Sequence, residues 1–232
     1  MLIDLGGNLL PAFAEGTRDV KACAERLSEL YRDGVDAVVL TPRYFPAKRS
    51  VEEFTAFREQ VLHTLSYNMP EKCPALYLGC EVYVDERLKY ISTIGELTVL
   101  GTRVMIAYMP EGEWEGSLID TIEAIGAVGI EVLIAHIDRY PEKYAEQLFK
   151  RGYRTILDAS ALVGMQNLFR RKKLLSWIDE GYVVGIGSNF DSDEKRVGDT
   201  VKRVIDILGK ERANKLAETS ARVLAGAVNI TK

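Results

Sequence analysis

In the stretch Ile134-Ala-His-Ile-Asp-Arg-Tyr140, a histidine and an arginine follow directly on an apolar run. An imidazole can shuttle a proton or ligate a metal, and a guanidinium presents a planar fork of donors matched to phosphate or carboxylate. The same pattern recurs along the chain. Short apolar runs hand over to Asn8, Arg43, Glu81, Tyr108, His136, Arg139, Asp158, Ser160, Ser188, Asn189 and Asp191. A set of this kind can bind an oxyanion, hold a cation or do acid–base chemistry if the fold brings it together. The bland alternative for His136 is a buried histidine bonded to a backbone carbonyl.

The elements that must position these residues are legible from periodicity. Runs of β-branched and apolar residues bounded by glycine, proline or charge predict strands at 2–5, 36–41, 75–80, 98–107, 130–135, 154–157 and 182–187. Between them lie helical patterns. Val20, Cys23, Ala24, Leu27, Leu30 and Tyr31 recur at helical spacing behind Thr17, a plausible N-cap, and stop at Gly34. Ser50-Val-Glu-Glu53 has the spacing of a capping box, and two closing helices are expected at about 194–208 and 211–225. Strands alternating with helices, without a linker, predict one α/β domain over 1–232 with a parallel sheet, either a barrel or an open doubly wound sheet. In a parallel barrel the polar residues after the strands ring one mouth.

Several chemistries lack their signature. Gly6-Gly7 has no later glycine to complete a dinucleotide fingerprint, and no phosphate-cradling Gly-Lys-Ser/Thr sequence occurs. A Ser-His-acid triad on Ser160 or Ser188 has only His136 to serve it. His63, inside a helical pattern, reads as a surface or packing residue. The run Arg170-Arg-Lys-Lys173 reads as a solvated helix face or a docking patch for a phosphatase or kinase. Trp114 lies in a turn-rich loop, where it either marks a rim or packs on its own loop.

With 30 basic against 34 acidic side chains, the chain carries a formal charge of -4, which argues against nucleic acid as a partner. Cys23, Cys73 and Cys80 have neither metal-ligand spacing nor an even disulfide count, so they read as small apolar residues in a reducing cytoplasm. Charges interrupt every apolar run before it reaches membrane-spanning length, so no membrane insertion is expected.

Six pieces, taken in order, resemble the polymerase and histidinol phosphatase (PHP) superfamily, and within it the bacterial capsule-type protein-tyrosine phosphatases. Leu2-Ile-Asp-Leu-Gly-Gly-Asn-Leu-Leu-Pro11 resembles the family's opening Ile-Asp-Ile-His-x-His-Ile-Leu-Pro. Ala14-Glu15-Gly16 stands where the family has Asp-Asp-Gly, and Leu40-Thr-Pro-Arg43 where it has Thr-Pro-His. Gly79-Cys-Glu-Val-Tyr83 and Ile134 to Tyr140 are close to the family wording, and Gly187-Ser-Asn-Phe-Asp191 replaces a Ser-Asp-x-His. The resemblance implies a distorted (β/α)7 TIM-like barrel with divalent metals, commonly manganese or iron, at its mouth. It also implies hydrolysis of phosphotyrosine in the control of capsule and exopolysaccharide synthesis.

Carried over singly, Glu81 and His136 match family ligands. Gly6, Asn8 and Arg43 stand where histidines are expected, Ala107 where a glutamate is, and Asn189 and Asp191 where an aspartate and a histidine are. Glycine and alanine cannot ligate, and an arginine sets its own charge against a cation. The expectation is therefore a pseudoenzyme of the family with no cofactor, in which Arg43 and Arg139 bind phosphate. Its partner would be the phosphotyrosine tail of a bacterial tyrosine kinase or a small phosphorylated ligand. The alternative is an active phosphatase with a reduced site in which Glu81, His136 and Asp191 are the residual catalytic and metal-binding residues. A second alternative for Arg43 is an internal ion pair with Glu81 or Asp191.

Overall fold

The first strand, β1 (Ile3–Gly7), is buried along its whole length and lies between two parallel neighbours, β2 (Ala37–Leu40) and the last strand, β9 (Val183–Gly187). The others are β3 (Arg43–Tyr44), β4 (Ala75–Leu78), β5 (Glu81–Tyr83), β6 (Val104–Tyr108), β7 (Glu131–Ile134) and β8 (Arg154–Asp158). All pair in parallel, in the order β3-β5-β6-β7-β8-β9-β1-β2-β4. The structure, a computed structural model, describes residues 2–13, 16–164, 168–188 and 197–231.

Nine strands resolve into the seven expected units because two ribbons bend. β2 runs on into β3 across Thr41-Pro42, and β4 into β5 across Gly79-Cys80. The lower halves pair with each other at Val38↔Leu76 and the upper halves at Arg43↔Glu81. Because β2 also pairs with β1, and β5 with β6, the bent ribbons carry the sheet round on itself as a distorted barrel. The bend has its own fastening. Buried Arg58 donates from Nη1 to the Gly79 carbonyl at 3.0 Å, and the Glu81 N–H donates to the Pro42 carbonyl at 3.2 Å.

Side chains from six strands meet in one cluster: Leu5, Val39, Ile106, Leu133, Ile156 and Val184. Only the inside of a curled sheet lets so many strands touch at once. Val223 and Leu224 close it from one end of the last helix. The helices cover the outside. α1 (Val20–Arg32) and α2 (Val51–Ser66) bury Cys23, Leu27, Leu30, Val61 and Leu65 against β2 and β4. α3 (Gly116–Ala127), α4 (Glu142–Lys150), α5 (Ala159–Val163) and α6 (Leu168–Asp179) pack around β6 to β9. α7 (Val197–Val223) is interrupted at Gly209, where φ is 70° and ψ 169°, in the gap expected between two closing helices.

Three local expectations need correction. The cap of α1 is Asp19, whose carboxylate accepts from the Ala22 N–H at 2.7 Å, while Thr17 turns inward and donates to the Leu9 carbonyl at 2.9 Å. The strand expected from residue 98 begins at Val104, because a turn through Gly101, with φ of 86°, occupies the preceding residues. The chain also returns to strand after Pro42, so Arg43 ends up inside a paired ribbon and not in a free loop. The capping box of α2 is present, with Glu53 N–H to Ser50 Oγ at 3.1 Å and Ser50 N–H to Glu53 Oε2 at 3.0 Å.

Candidate functional site

The strand ends deliver a chain of alternating charges across the barrel mouth. Arg43 on β3 donates from Nε to Glu81 Oε2 on β5 at 2.9 Å. The same carboxylate oxygen lies 3.2 Å from His136 Nε2, close enough for charge attraction but not aligned as a hydrogen bond. The other side of the imidazole, Nδ1, bonds Asp158 Oδ1 at 2.6 Å, and Arg139 donates from Nε to Asp158 Oδ2 at 2.8 Å. The order across the mouth is therefore Arg43, Glu81, His136, Asp158, Arg139.

Backbone geometry holds this order. His136 follows β7 in a left-handed conformation, φ 58° and ψ 37°, which costs a residue with a Cβ roughly 1–3 kcal/mol. That turn swings the ring between Glu81 and Asp158 in place of continuing the strand. Its carbonyl then accepts from the Arg139 N–H at 2.9 Å, so Arg139 starts one short turn away from the ring. Asp158 ends β8, and its own N–H donates to Asp138 Oδ1 at 2.9 Å. Tyr108, from the end of β6, meets His136 edge-on at 5.4 Å, and the Arg43 guanidinium lies 4.6 Å over its ring.

Burial penalises every charge here, and mutual pairing outweighs it for most. Burial alone would lower the His136 pKa, but the Asp158 and Glu81 carboxylates lift it to about 9, so the ring is an imidazolium at neutral pH. Burial pushes Glu81 and Asp158 up, yet their cationic neighbours hold both below the usual carboxylate range. Asp138 goes the other way: burial first, then repulsion by Asp158, raise it to about 6. Arg43 and Arg139 are close enough to disfavour each other's charge, and the Tyr108 hydroxyl senses both.

Of the residues expected to ring the mouth, Arg43, Glu81, Tyr108, His136, Arg139 and Asp158 come together. Asn189 and Asp191 lie outside the described residues, as do Ala14 and Glu15. Ser188 is engaged elsewhere: its N–H and its hydroxyl both donate to buried Asp4, so the triad reading fails on geometry. Ser160 lies on α5, and His136 is committed to two carboxylates. Asn8 is buried, and its amide makes no hydrogen bond among the described residues; Thr41 Oγ1 and Glu81 Oε1 share that condition. Asp158 was one of many polar strand-end residues in the sequence, and nothing there marked it as the partner of both His136 and Arg139.

The remaining candidates are structural. His63 is exposed on α2 beside Tyr67, and Trp114 stacks on Tyr144 at 4.2 Å. Arg170 donates to the Asp138 carbonyl, Arg171 to the Gly164 carbonyl at 3.3 Å, and Lys173 pairs with Glu142, so three of the four residues of the basic run are occupied on the protein's own surface. Cys80 points away from Glu81, its thiol against the Leu97 carbonyl.

The metal of the resembled family can be tested against these side chains. Among the described residues, no three of His, Cys, Asp and Glu converge to hold an ion. Glu81 already faces Arg43 and His136, and His136 Nδ1 is taken up by Asp158, so an ion here would have to displace a proton and break both pairings. The described residues do not fit a divalent cluster. No helix among the described residues is long and apolar enough to cross a membrane.

Comparison with known proteins agrees with the fold. A solved structure of the metal-dependent tyrosine phosphatases YwqE from Bacillus subtilis and CpsB from Streptococcus pneumoniae superposes with a TM-score of 0.77 at 15% identity, covering 99% of this chain and 96% of that one. A phosphotriesterase from Mycobacterium tuberculosis matches with a TM-score of 0.57 at 11% identity, over 98% of this chain and 95% of the other. A TatD-like protein from Archaeoglobus fulgidus matches at 0.55 and 12%, over 96% and 99%. Such low identities speak for the fold alone. No curated protein matches by sequence. The family profile for capsular polysaccharide synthesis, CpsB/CapC, matches residues 2–224. The chain belongs to the CpsB/CapC family of capsular polysaccharide synthesis proteins.

Proposed function

We propose that this protein is a non-catalytic member of its family, a cytoplasmic regulator that binds a phosphate monoester, phosphotyrosine above all, at the barrel mouth. The observation that carries this reading is the charge chain from Arg43 to Arg139. It engages with one another the carboxylates and imidazole that metal-dependent hydrolysis would need as ligands, and sets two guanidinium groups beside them. A divalent ion placed there would meet three basic side chains against two carboxylates that are already paired with them.

An anion meets the opposite situation. Arg43 and Arg139 both act on Tyr108, and although Asp158 outweighs the slight repulsion of Arg139 by Arg43, a phosphate near both would meet two guanidinium groups. Arg139 is the accessible end, with 31% of its side chain exposed. Two guanidinium groups offer forked donors to phosphoryl oxygens, and charged hydrogen bonds of this kind are about twice as strong as neutral ones. The orphaned amide of Asn8 and hydroxyl of Thr41 add polar groups that a bound guest or water can satisfy.

Calorimetric titration of phosphotyrosine tests this reading, with an Arg139→Met variant as control. Saturable binding that the variant loses, without phosphate release in the presence of manganese, is the expected outcome. Turnover of phosphotyrosine stimulated by manganese and lost in His136→Ala would favour an active enzyme with a reduced site.

A further inference from the structure

We propose that a slot beside the mouth selects acidic polypeptide around the phosphotyrosine, with the aromatic ring against Phe13 and Phe45 and the flanking carboxylates on Lys48 and Arg49. This rests on reading the mouth as a phosphate site and names the class of partner it takes. The slot lies between the loop after β1 and the segment from β3 to α2, and Arg43 belongs to both slot and mouth. Its volume is about 340 Å³, at the small end of the ligand clefts seen in proteins. That suits one side chain better than a large cofactor.

The lining is unusual for a protein with more acidic than basic residues. Phe13 and Phe45 supply aromatic surface backed by buried Tyr44 and Phe54, Arg43, Lys48 and Arg49 supply charge, and no carboxylate lines it among the described residues. The aromatic walls are braced from behind. Phe13 packs on Phe54 and Phe57 at 5.7 and 5.1 Å, and Phe45 packs on Tyr83 at 5.3 Å.

Lys48 and Arg49 are exposed, and neither forms an ion pair among the described residues. They rest instead on rings: Lys48 Nζ lies 4.3 Å over Phe45, and Arg49 lies 4.6 Å over Phe57. Arg49 feels the Glu53 carboxylate, but that group is spent on the capping box of α2. Two cations held in place by aromatic faces, beside a third at the phosphate site, form a positive rim around an aromatic floor. The complementary guest is an aryl phosphate with acidic neighbours.

Fluorescence anisotropy with the full-length protein and three labelled peptides tests this: Glu-Asp-phosphotyrosine-Asp-Glu, Ala-Ala-phosphotyrosine-Ala-Ala, and the acidic peptide without phosphate. The acidic phosphopeptide should bind about tenfold more tightly than the alanine one, the sum of two exposed charge pairs, and the preference should fade in high salt. The unphosphorylated peptide should bind far more weakly than either. In Lys48→Glu/Arg49→Glu the tenfold preference should vanish while the alanine phosphopeptide still binds. Phe45→Ala should weaken both phosphopeptides. Equal affinity for the two phosphopeptides, or a preference that survives the double substitution, would overturn the slot while leaving phosphotyrosine binding intact. Equal binding of the unphosphorylated acidic peptide would overturn it as well. If no phosphopeptide binds, both readings fall together.

Discussion

Replacing Glu81 by glutamine probes the charge chain with little change of shape. The carboxylate is 1% exposed and faces Arg43 and His136, and glutamine keeps the volume and one acceptor. What it removes is one of two carboxylates that hold three cations together. Breaking a buried pair from one side costs about 3–5 kcal/mol, because the stranded charge keeps its desolvation penalty. For a chain of this size that lowers Tm by roughly 6–20 °C.

The loss should also depend on pH. In the folded protein His136 titrates at about 9, above the 6.5 of a free imidazole. The stability this contributes, on the order of 3 kcal/mol, is fully present below pH 6.5 and is lost as pH rises through 9. Urea unfolding of wild type and Glu81→Gln at pH 6, 8 and 10 should therefore show the largest gap at pH 6, narrowing by pH 10. Replacing Arg43 and Glu81 together by methionine should recover most of the loss. A cost below about 1 kcal/mol, or one independent of pH, would refute the reasoning.

Other perturbations follow from the same geometry. Asp138 is held neutral more readily than a free carboxyl, with a pKa of about 6, so its share of stability is present below pH 3.8 and is lost as pH rises through 6. Asp138→Asn, which can still accept from the Asp158 N–H, should be more stable than wild type at pH 8 and no more stable at pH 4, as read by thermal melts. Gly185→Ala would place a Cβ 2.3 Å from Leu5 Cδ1 inside the barrel. It should cost about 1–3 kcal/mol in urea unfolding, whereas alanine at the helical glycine Gly126 meets nothing within 4 Å.

The sequence carried the fold further than the site. Alternating strands and helices, the capping box at Ser50 and the gap near Gly209 were readable because each is set by local spacing. The strand expected within 98–107 is present but starts only at Val104, because the turn at Gly101 takes up the residues before it. The bend through Pro42 was read as the end of a strand, since a missing N–H marks a stop locally and only the neighbouring ribbon restores the pairing. At the mouth, membership was legible from strand ends and partnership was not. Which carboxylate takes Arg43, and that Asp158 serves both His136 and Arg139, depends on the register of β3 against β5 and on the left-handed turn at His136. The expected ion pair of Arg43 with Glu81 is formed, and a partner in Asp191 lies outside the described residues.

The most direct measurement is elemental analysis by mass spectrometry of protein purified from manganese- and iron-supplemented cells and dialysed without chelator. Protein carrying far less than one transition-metal ion per chain, with phosphotyrosine still bound, is the predicted result. A full equivalent or more of manganese or iron, released by Glu81→Ala or His136→Ala, would contradict it.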